Sequence, residues 1–479
     1  MRLKIAGLLA LHPIKTIKKT NVSNIKRFVT AIKNEPPTLV YHNVKNYIMR
    51  SNAGGVSEPV YQNEKVRLLE EKYPGITSPN GIANAYALEA KFHPVPVNVS
   101  DNATQKVNIL LPQLDPSIMF GGYISCLQFI AALVSANYRV RILICESFDF
   151  DKVAVLEKLQ HNEVLHTALS KCEYENISAK SDVLTISKED AFVAYSFWTG
   201  ITAHQLAQTI DKKFIFFIQE FETIFHPQDS FHAIGEYAYT LPHYAVFNTS
   251  ILRDYFKQQK IGVFGGEKPD GDENSTFYQH ALTKTAPPTI EDLQSRKKRR
   301  LLFYGRPEDH AKRNLFEIAL IGLKTAVFNG VFVEGEWEFV GVGTLGTEHE
   351  IELGHGHTLK LISKMSHDDY AASLRGFDVG LSLMYAPHPS LLPFEMASSG
   401  IVAVTNTYAQ RDTKLLKSIS ENLVPCAPSI EGVAKGLAEA VNQCEDLKAR
   451  IDNADIDWVN DWEDAFNDKV IAKLKKFIG

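Results

Sequence analysis

Val107-Asn-Ile-Leu-Leu111, the glycine pair Gly121-Gly122, an apolar-periodic stretch from about Ile124 to Ala136, and Val140-Arg-Ile-Leu-Ile-Cys145 together decide the fold. A continuous apolar run of this length reads as a strand buried on both faces, and such strands belong to parallel sheets covered by helices. The same rhythm continues. Val183–Ser187, Ala191–Trp198, Phe214–Gln219 and Tyr244–Asn248 are further strand candidates, several with helical patterns between them. Strand and helix in alternation predict a doubly wound parallel sheet.

The rhythm starts again further on. Leu301–Tyr304, Trp337–Val342, Val379–Met384 and Ile401–Thr405 read as strands, and Leu315–Ala326, His367–Leu374, Pro393–Ser399 and Ile430–Cys444 as helices. A tail helix is expected over Asp457–Ile478. The expected division is an N-terminal extension over 1–104, a first domain over 105–264, a linker over 265–298, a second domain over 299–455 and a terminal segment over 456–479. The linker is marked by Gly265-Gly266, Pro269, Gly271 and Pro287-Pro288. The expected fold class is therefore α/β: two Rossmann-like doubly wound domains facing a cleft. Ligands in open α/β sheets bind outside the carboxyl ends of the strands, so two such edges facing across a hinge make a deep site that can close.

Bulk properties fit a folded chain. Its 479 residues exceed one ordinary core, and 45% are hydrophobic against 22% charged. The net charge of −5 gives no overall attraction to nucleic acid, and no nucleic-acid partner is expected. Residues 1–50 are nonetheless basic, with ten Lys or Arg and a single acid, Glu35. Such a start can rest on anionic lipid or simply stand as a solvated extension. Five cysteines, none in a C-x-x-C pair, suit a reducing cytosol. The Ile5–Leu11 run is cut short by His12-Pro13, so neither a signal peptide nor a membrane span is expected there. The expected location is the cytoplasm, with peripheral contact on the inner face of the plasma membrane as an alternative.

The chemistry-bearing residues concentrate at strand ends. In Phe303-Tyr304-Gly305-Arg306-Pro307, Arg306 projects from a carboxyl end, where a guanidinium can grip a diphosphate with paired hydrogen bonds. Its plain alternative is a surface arginine in a turn. Lys364 precedes a helix expected to start at Ser366, an unusual place for a cation, though a solvated lysine is the ordinary reading. The stretch Ser382-Leu-Met-Tyr-Ala-Pro-His-Pro-Ser-Leu-Leu-Pro-Phe-Glu-Met-Ala-Ser-Ser-Gly400 is the most informative. Pro393 suits a first helical turn. The amides of Ser390–Phe394 are candidates to face phosphate, and Glu395 is a candidate acceptor for sugar hydroxyls or a plain helix-dipole acid. His388 is a candidate ligand or acid, with a solvent-exposed turn histidine as the alternative. Glu220 and Glu222 follow the strand Phe214–Gln219 and are candidates to bind or deprotonate an acceptor hydroxyl, or structural acids at a strand end. Asp149-Phe-Asp151 has the form of a metal-binding D-x-D motif, but its place after a strand reads better as a helix N-cap.

Several of these motifs carry a resemblance. Tyr304-Gly305-Arg306-Pro307, Arg313-Asn314, Lys364 and His388-Pro389-Ser390…Pro393-x-Glu395-Met396-Ala397 resemble the WsaF-type rhamnosyltransferases. These are GT-B enzymes of glycosyltransferase family 4. Gly121-Gly122, Phe217-Ile-Gln-Glu-Phe-Glu222 and Phe247-Asn-Thr-Ser-x-Leu252 resemble the corresponding segments of their first domain. The resemblance covers roughly residues 105–465. It implies donor contacts from Gly121, Gly122, Arg306, Lys364, Ser390 and Glu395. It further implies a dTDP-L-rhamnose donor, a retaining outcome, no metal requirement, a glycan or lipid-linked glycan acceptor, and a C-terminal helix crossing back to the first domain. The chain departs from the broader E-x7-E pattern of family 4, since Pro387 occupies the first glutamate position. Two other readings remain open here. A nucleotide-sugar epimerase would isomerise donor with no acceptor present. A non-catalytic glycan-binding protein would bind nucleotide without turnover.

Overall fold

The computed structural model describes residues 91–479 apart from 116–120, 147–149, 179–182, 268, 344–347, 363–364 and 366, together with 85, 88 and 89. Lys364, Ser366 and Asp149 lie outside the described residues, as does the basic start.

Among the described residues nine strands belong to the first half: β1 (Val97–Val99), β2 (Val107–Leu111), β3 (Val140–Ile144), β4 (Glu173–Asn176), β5 (Leu184–Ile186), β6 (Ala191–Ala194), β7 (Phe214–Ile218), β8 (His243–Asn248) and β9 (Ser275–Tyr278). Seven of them form one sheet in the order β4-β3-β2-β6-β7-β8-β9, with every neighbouring pair parallel. The residues of β2, β3 and β7 are buried throughout, as strands covered on both faces must be. β5 pairs instead with β1 in a separate two-stranded sheet. Its alternation, Leu184 and Ile186 inside and Thr185 outside, is that of a strand with one covered face.

The second half contributes β10 (Arg299–Tyr304), β11 (Trp337–Val342), β12 (His349–Gly354), β13 (His357–Leu361), β14 (Val379–Ser382), β15 (Val402–Asn406) and β16 (Leu423–Cys426). Their order is β12-β13-β11-β10-β14-β15-β16, parallel except for β12, which closes one edge as an antiparallel hairpin with β13. Two doubly wound sheets thus stand in tandem. Strand order reverses between β2 and β6 in the first sheet and between β10 and β14 in the second. Crevices form outside the carboxyl ends at such reversals, and those ends carry Gly121-Gly122, Tyr195, Arg306 and the turn through His388.

Local chemistry explains the element ends. The strand expected over Ala191–Trp198 stops at Ala194 because Ser196 starts a helix: its hydroxyl accepts the Thr199 amide while Thr199 caps back on the Ser196 amide. Asp151 caps the helix Lys152–Leu159, accepting from the amides of Val153 and Ala154. The glycine pair belongs to the first turn of the helix Gly121–Ser135. The stretch read as a linker supplies β9, whose Tyr278 ring stacks on Phe217 at 5.4 Å and on Phe466 at 4.6 Å. The tail is two helices, Trp462–Ala465 and Asp468–Ile478, because Asn467 caps the second. Phe466, Val470, Leu474 and Phe477 enter the same core as Ile109, Phe129 and Phe217, and Phe477 stacks on Tyr244 at 4.5 Å. The chain therefore ends packed on its first sheet. No helix among the described residues is long and apolar enough to cross a membrane.

Candidate active site

The two sheets meet at a carboxylate. Glu220 stands two residues beyond β7, and its Oε1 accepts the Phe221 amide at 2.9 Å and the His388 amide at 3.1 Å. The second bond crosses from the first sheet's edge to the Pro-rich turn after β14. Burial raises the Glu220 carboxyl above its ordinary range, opposed by those two amides and by the Arg313 and Arg411 guanidiniums.

Arg411 holds the same turn from beneath. Only 2% exposed, it donates to the carbonyls of Met384 at 2.5 Å and of His388 and Asn406 at 3.3 Å each. Burial lowers its guanidinium to about 10. The His388 imidazole, half-buried above it, is pushed down to about 3, chiefly by burial and further by His280, Arg411 and Arg313. It is thus neutral at pH 7, and its buried Nε2 has no hydrogen-bond partner among the described residues. A buried ring nitrogen without a partner at the meeting of two strand edges is a place for a ligand atom.

Arg306 follows β10, with its Nε 3.8 Å from Glu308. It hydrogen-bonds to Tyr304, and its charge bears on Arg313. Gly305 before it is required by packing, since a Cβ there would come within 2.1 Å of the Phe303 ring. Arg313 extends over the Phe225 ring of the first domain, 4.8 Å from its centroid. Arg313 thus stands between Glu220, whose charge favours it, and Arg306, whose charge opposes it. In the sequence Arg313 stands out only through the resemblance, by its arginine-asparagine pair.

Glu395 lies in the first turn of the helix Leu392–Ser398. Its Oε1 accepts the Thr283 amide at 3.2 Å and the Thr283 hydroxyl at 2.6 Å, which ties the linker to this helix. Its charge also bears on Tyr370, as does that of Tyr304, the tyrosine that hydrogen-bonds to Arg306. The Tyr370 hydroxyl is buried and without a partner among the described residues. Ser390 is buried within the same turn. Gly121 and Gly122 stand on the first sheet's edge, where a Cβ on Gly122 would come within 2.9 Å of the Tyr195 hydroxyl.

Glu222, the other acid after β7, is held by the helix that follows β6. Its Oε2 accepts the Phe197 amide at 2.9 Å. Burial, aided by the charges of Glu220 and Glu146, raises its carboxyl to about 8 from an ordinary 4.5. A folded-state value above the unfolded one means that ionisation opposes folding. The group is without penalty below pH 4.5 and destabilises increasingly as pH rises towards 8. Glu222→Gln keeps an acceptor for Phe197, so it should raise the melting temperature at pH 9 and change it little at pH 4.5. Thermal melts at both pH values check this, and an equal difference at both would contradict it.

Among the described residues no three His, Cys, Asp or Glu side chains converge as a metal site.

Two family models match the chain: the WsaF N-terminal domain over residues 106–250 and the WsaF C-terminal domain over 299–438, together more than half its length. An O-antigen biosynthesis protein, RfbC of Myxococcus xanthus, is 29% identical over 247 residues, which is 49% of this chain and 17% of that protein. The chain thus matches less than a fifth of that relative's length. Among solved structures, a TarM variant of S. aureus in complex with fondaparinux, alpha-GlcNAc-glycerol and UDP is similar, with a TM-score of 0.52 at 9% identity over 78% of this chain and 100% of that one. HepE of Anabaena in complex with UDP is similar with a TM-score of 0.51 at 11% identity, over 78% of this chain and 98% of that one. At these identities the likeness concerns the fold: two facing Rossmann-like domains, the GT-B architecture.

Proposed function

The chain belongs to the family defined by the WsaF N- and C-terminal domains, and from that premise we propose that it is a glycosyltransferase of surface-polysaccharide synthesis. Its proposed donor is dTDP-L-rhamnose, its acceptor a growing glycan or lipid-linked glycan, and its outcome retaining. The observation that carries the reading is the gap where Glu220 meets the His388 turn, beside the Arg313 guanidinium, on which the charge of Arg306 also bears.

Transfer breaks the bond between the anomeric carbon and the diphosphate oxygen, and the electron pair leaves with the diphosphate. The acceptor oxygen bonds to the anomeric carbon and gives up its proton. Leaving-group charge is the main demand, and fixed cations at a partly dry site meet it best. Arg306 and Arg313 supply that charge, with Lys364 and the amides of Ser390, Leu391, Leu392 and Phe394 as proposed additions, so the proposed reaction needs no metal. The neutral His388 ring offers its Nε2 to the donor sugar. Glu220, a stronger base than an ordinary carboxylate because it is buried, takes the acceptor proton. The cytoplasm is the proposed location, in keeping with five buried, unpaired cysteines.

The test is transfer from dTDP-L-rhamnose to a rhamnan or lipid-linked glycan primer, followed by mass spectrometry. A product one deoxyhexose heavier supports the reading. Isomerised nucleotide sugar formed from donor alone would favour an epimerase, and nucleotide binding without turnover a non-catalytic glycan binder.

A further inference from the structure

The loop that leaves β15 touches both halves of the protein. Tyr408 and Arg411 bond each other's backbone at 3.0 and 2.9 Å, which folds residues 407–411 into a tight turn with Ala409 at φ +47°. On one side the turn docks on the first domain. Gln410 Nε2 donates to the Ile251 carbonyl at 2.5 Å, and the Tyr408 hydroxyl pairs with that of Tyr255, the two rings 6.3 Å apart by centroid. Both partners belong to the helix Ser250–Gln259. The Ile251 side chain is buried in one apolar cluster with Phe394, Ala403 and Leu416 of the second domain. On its other side the turn grips the chain that leaves β14. Arg411 holds the Met384 and His388 carbonyls, and Asn406 accepts the Met384 amide at 2.7 Å. Arg411 thereby joins two hydrogen bonds that cross between the halves, Gln410 to Ile251 and His388 to Glu220.

This contact is built from costly parts. Thr249 caps the helix Ser250–Gln259 by accepting the Leu252 amide at 3.2 Å, and it does so at φ +79°. A β-branched residue strains in that region, as does Ala409 across the contact, and such positions persist where a functional geometry is over-determined by its surroundings. Arg411 is buried, and its Nε has no hydrogen-bond partner among the described residues. A guanidinium that only filled the core would be better replaced by an apolar side chain. What it does that an apolar side chain cannot is hold the carbonyls of two strand ends and of the His388 turn together.

We propose that Gln410 and Arg411 are positioning residues for sugar transfer: Gln410 seats the turn on the first domain, and Arg411 passes that seating on to His388, so the imidazole takes its place only where the two halves are docked. The proposal rests on the glycosyl-transfer reading above.

The experiment compares the wild type, Gln410→Ala, Arg411→Lys and the double variant by amide hydrogen exchange and by transfer from dTDP-L-rhamnose to a rhamnan primer. The Tyr385 and His388 amides, bonded to the Arg313 carbonyl and to Glu220, should exchange about tenfold faster in Gln410→Ala, although Gln410 bonds to neither. At saturating substrates kcat should fall about tenfold in Gln410→Ala and about a hundredfold in Arg411→Lys, for which a displacement of about 1 Å is enough. Donor KM should change by less than about twofold, as befits residues that do not touch the donor. The double variant should be no slower than Arg411→Lys, because one path carries both effects. Gln410→Glu, which also denies Ile251 its donor, keeps the test decisive if Arg411→Lys folds poorly. Exchange that quickens only in residues 250–256 and 407–411, additive losses in kcat, or a lower melting temperature with kcat unchanged would overturn the coupling. A wild-type protein that neither binds dTDP nor transfers sugar, while Gln410→Ala shows the expected exchange, would instead overturn the reading of its function.

Discussion

Arg306→Ala should lower the rate of sugar transfer by about a hundred- to a thousandfold, the loss usual when one fixed group stabilising developing charge is removed. The melting temperature should move little, because Arg306 is partly exposed and its acidic neighbour Glu308 sits 3.8 Å away at the edge of the gap. The reason lies in the placement of β10. That strand is where the second sheet reverses its order, and the chain leaves its carboxyl end through Gly305 directly into Arg306. Arg313 stands near enough for the two charges to repel, and Glu220 offsets Arg313. Bringing two cations together costs free energy in the empty site and returns it when a diphosphate lies between them. Loss of Arg306 leaves Arg313 alone, which holds the ligand with one fork instead of two. Steady-state transfer assays at saturating acceptor check the result, and a loss below about tenfold, under 1.4 kcal/mol of transition-state stabilisation, would contradict the role assigned to Arg306.

Asp378→Ala should cost the fold about 3–5 kcal/mol, the usual consequence of leaving buried charge without its partner. Asp378 precedes β14 and is 3% exposed. Its Oδ1 is shared by Arg296 and Arg450, with Arg450 donating at 2.9 Å, while Oδ2 accepts the Arg300 amide at 2.9 Å. Arg450 is itself 2% exposed and also holds the Gly400 carbonyl at 2.7 Å and the Phe377 carbonyl at 3.1 Å. Without the carboxylate, the buried Arg450 guanidinium is left beside the partly exposed one of Arg296. The same residue fixes where β14 begins, and β14 delivers the chain to the His388 turn, so transfer should fall together with stability. Equilibrium unfolding in urea measures the loss. A change under about 1 kcal/mol would place this cluster with ordinary surface ion pairs.

Much of the architecture was readable before any coordinates, because strands buried on both faces leave continuous apolar runs. β7 is such a run, and β2 and β3 are broken only by Asn108 and Arg141, which are buried and bonded to each other at 2.7 Å. Edge strands are not. Glu173-Tyr-Glu-Asn176 has only one flank in the sheet, with Glu173 exposed and Glu175 spent on the buried Arg141, so nothing in its composition announces β4. The hairpin of β12 and β13 alternates Glu, His and Lys with apolar residues because one of its faces is open to solvent. β9 was hidden among the prolines and glycines of the linker. The site divides in the same way. Residues at strand ends, such as Glu220, Arg306 and His388, could be picked out because the chain leaves a strand there. The hydrogen bond from the His388 amide to Glu220 could not, since it joins positions 168 residues apart. Arg411 looks like a surface residue between glutamine and aspartate, and only tertiary contact shows it buried beneath a turn. Thr283, which occupies one oxygen of Glu395, comes from the linker, where no local pattern foretells its partner.

The most direct measurement of all is calorimetric titration of dTDP into the wild-type protein and into Arg306→Ala. A nucleoside diphosphate held between the two sheet edges should bind the wild type at one site and the variant at least about thirtyfold more weakly, as loss of a buried charged contact requires. Equal affinity for both proteins, or heat-free mixing with the wild type, would contradict it.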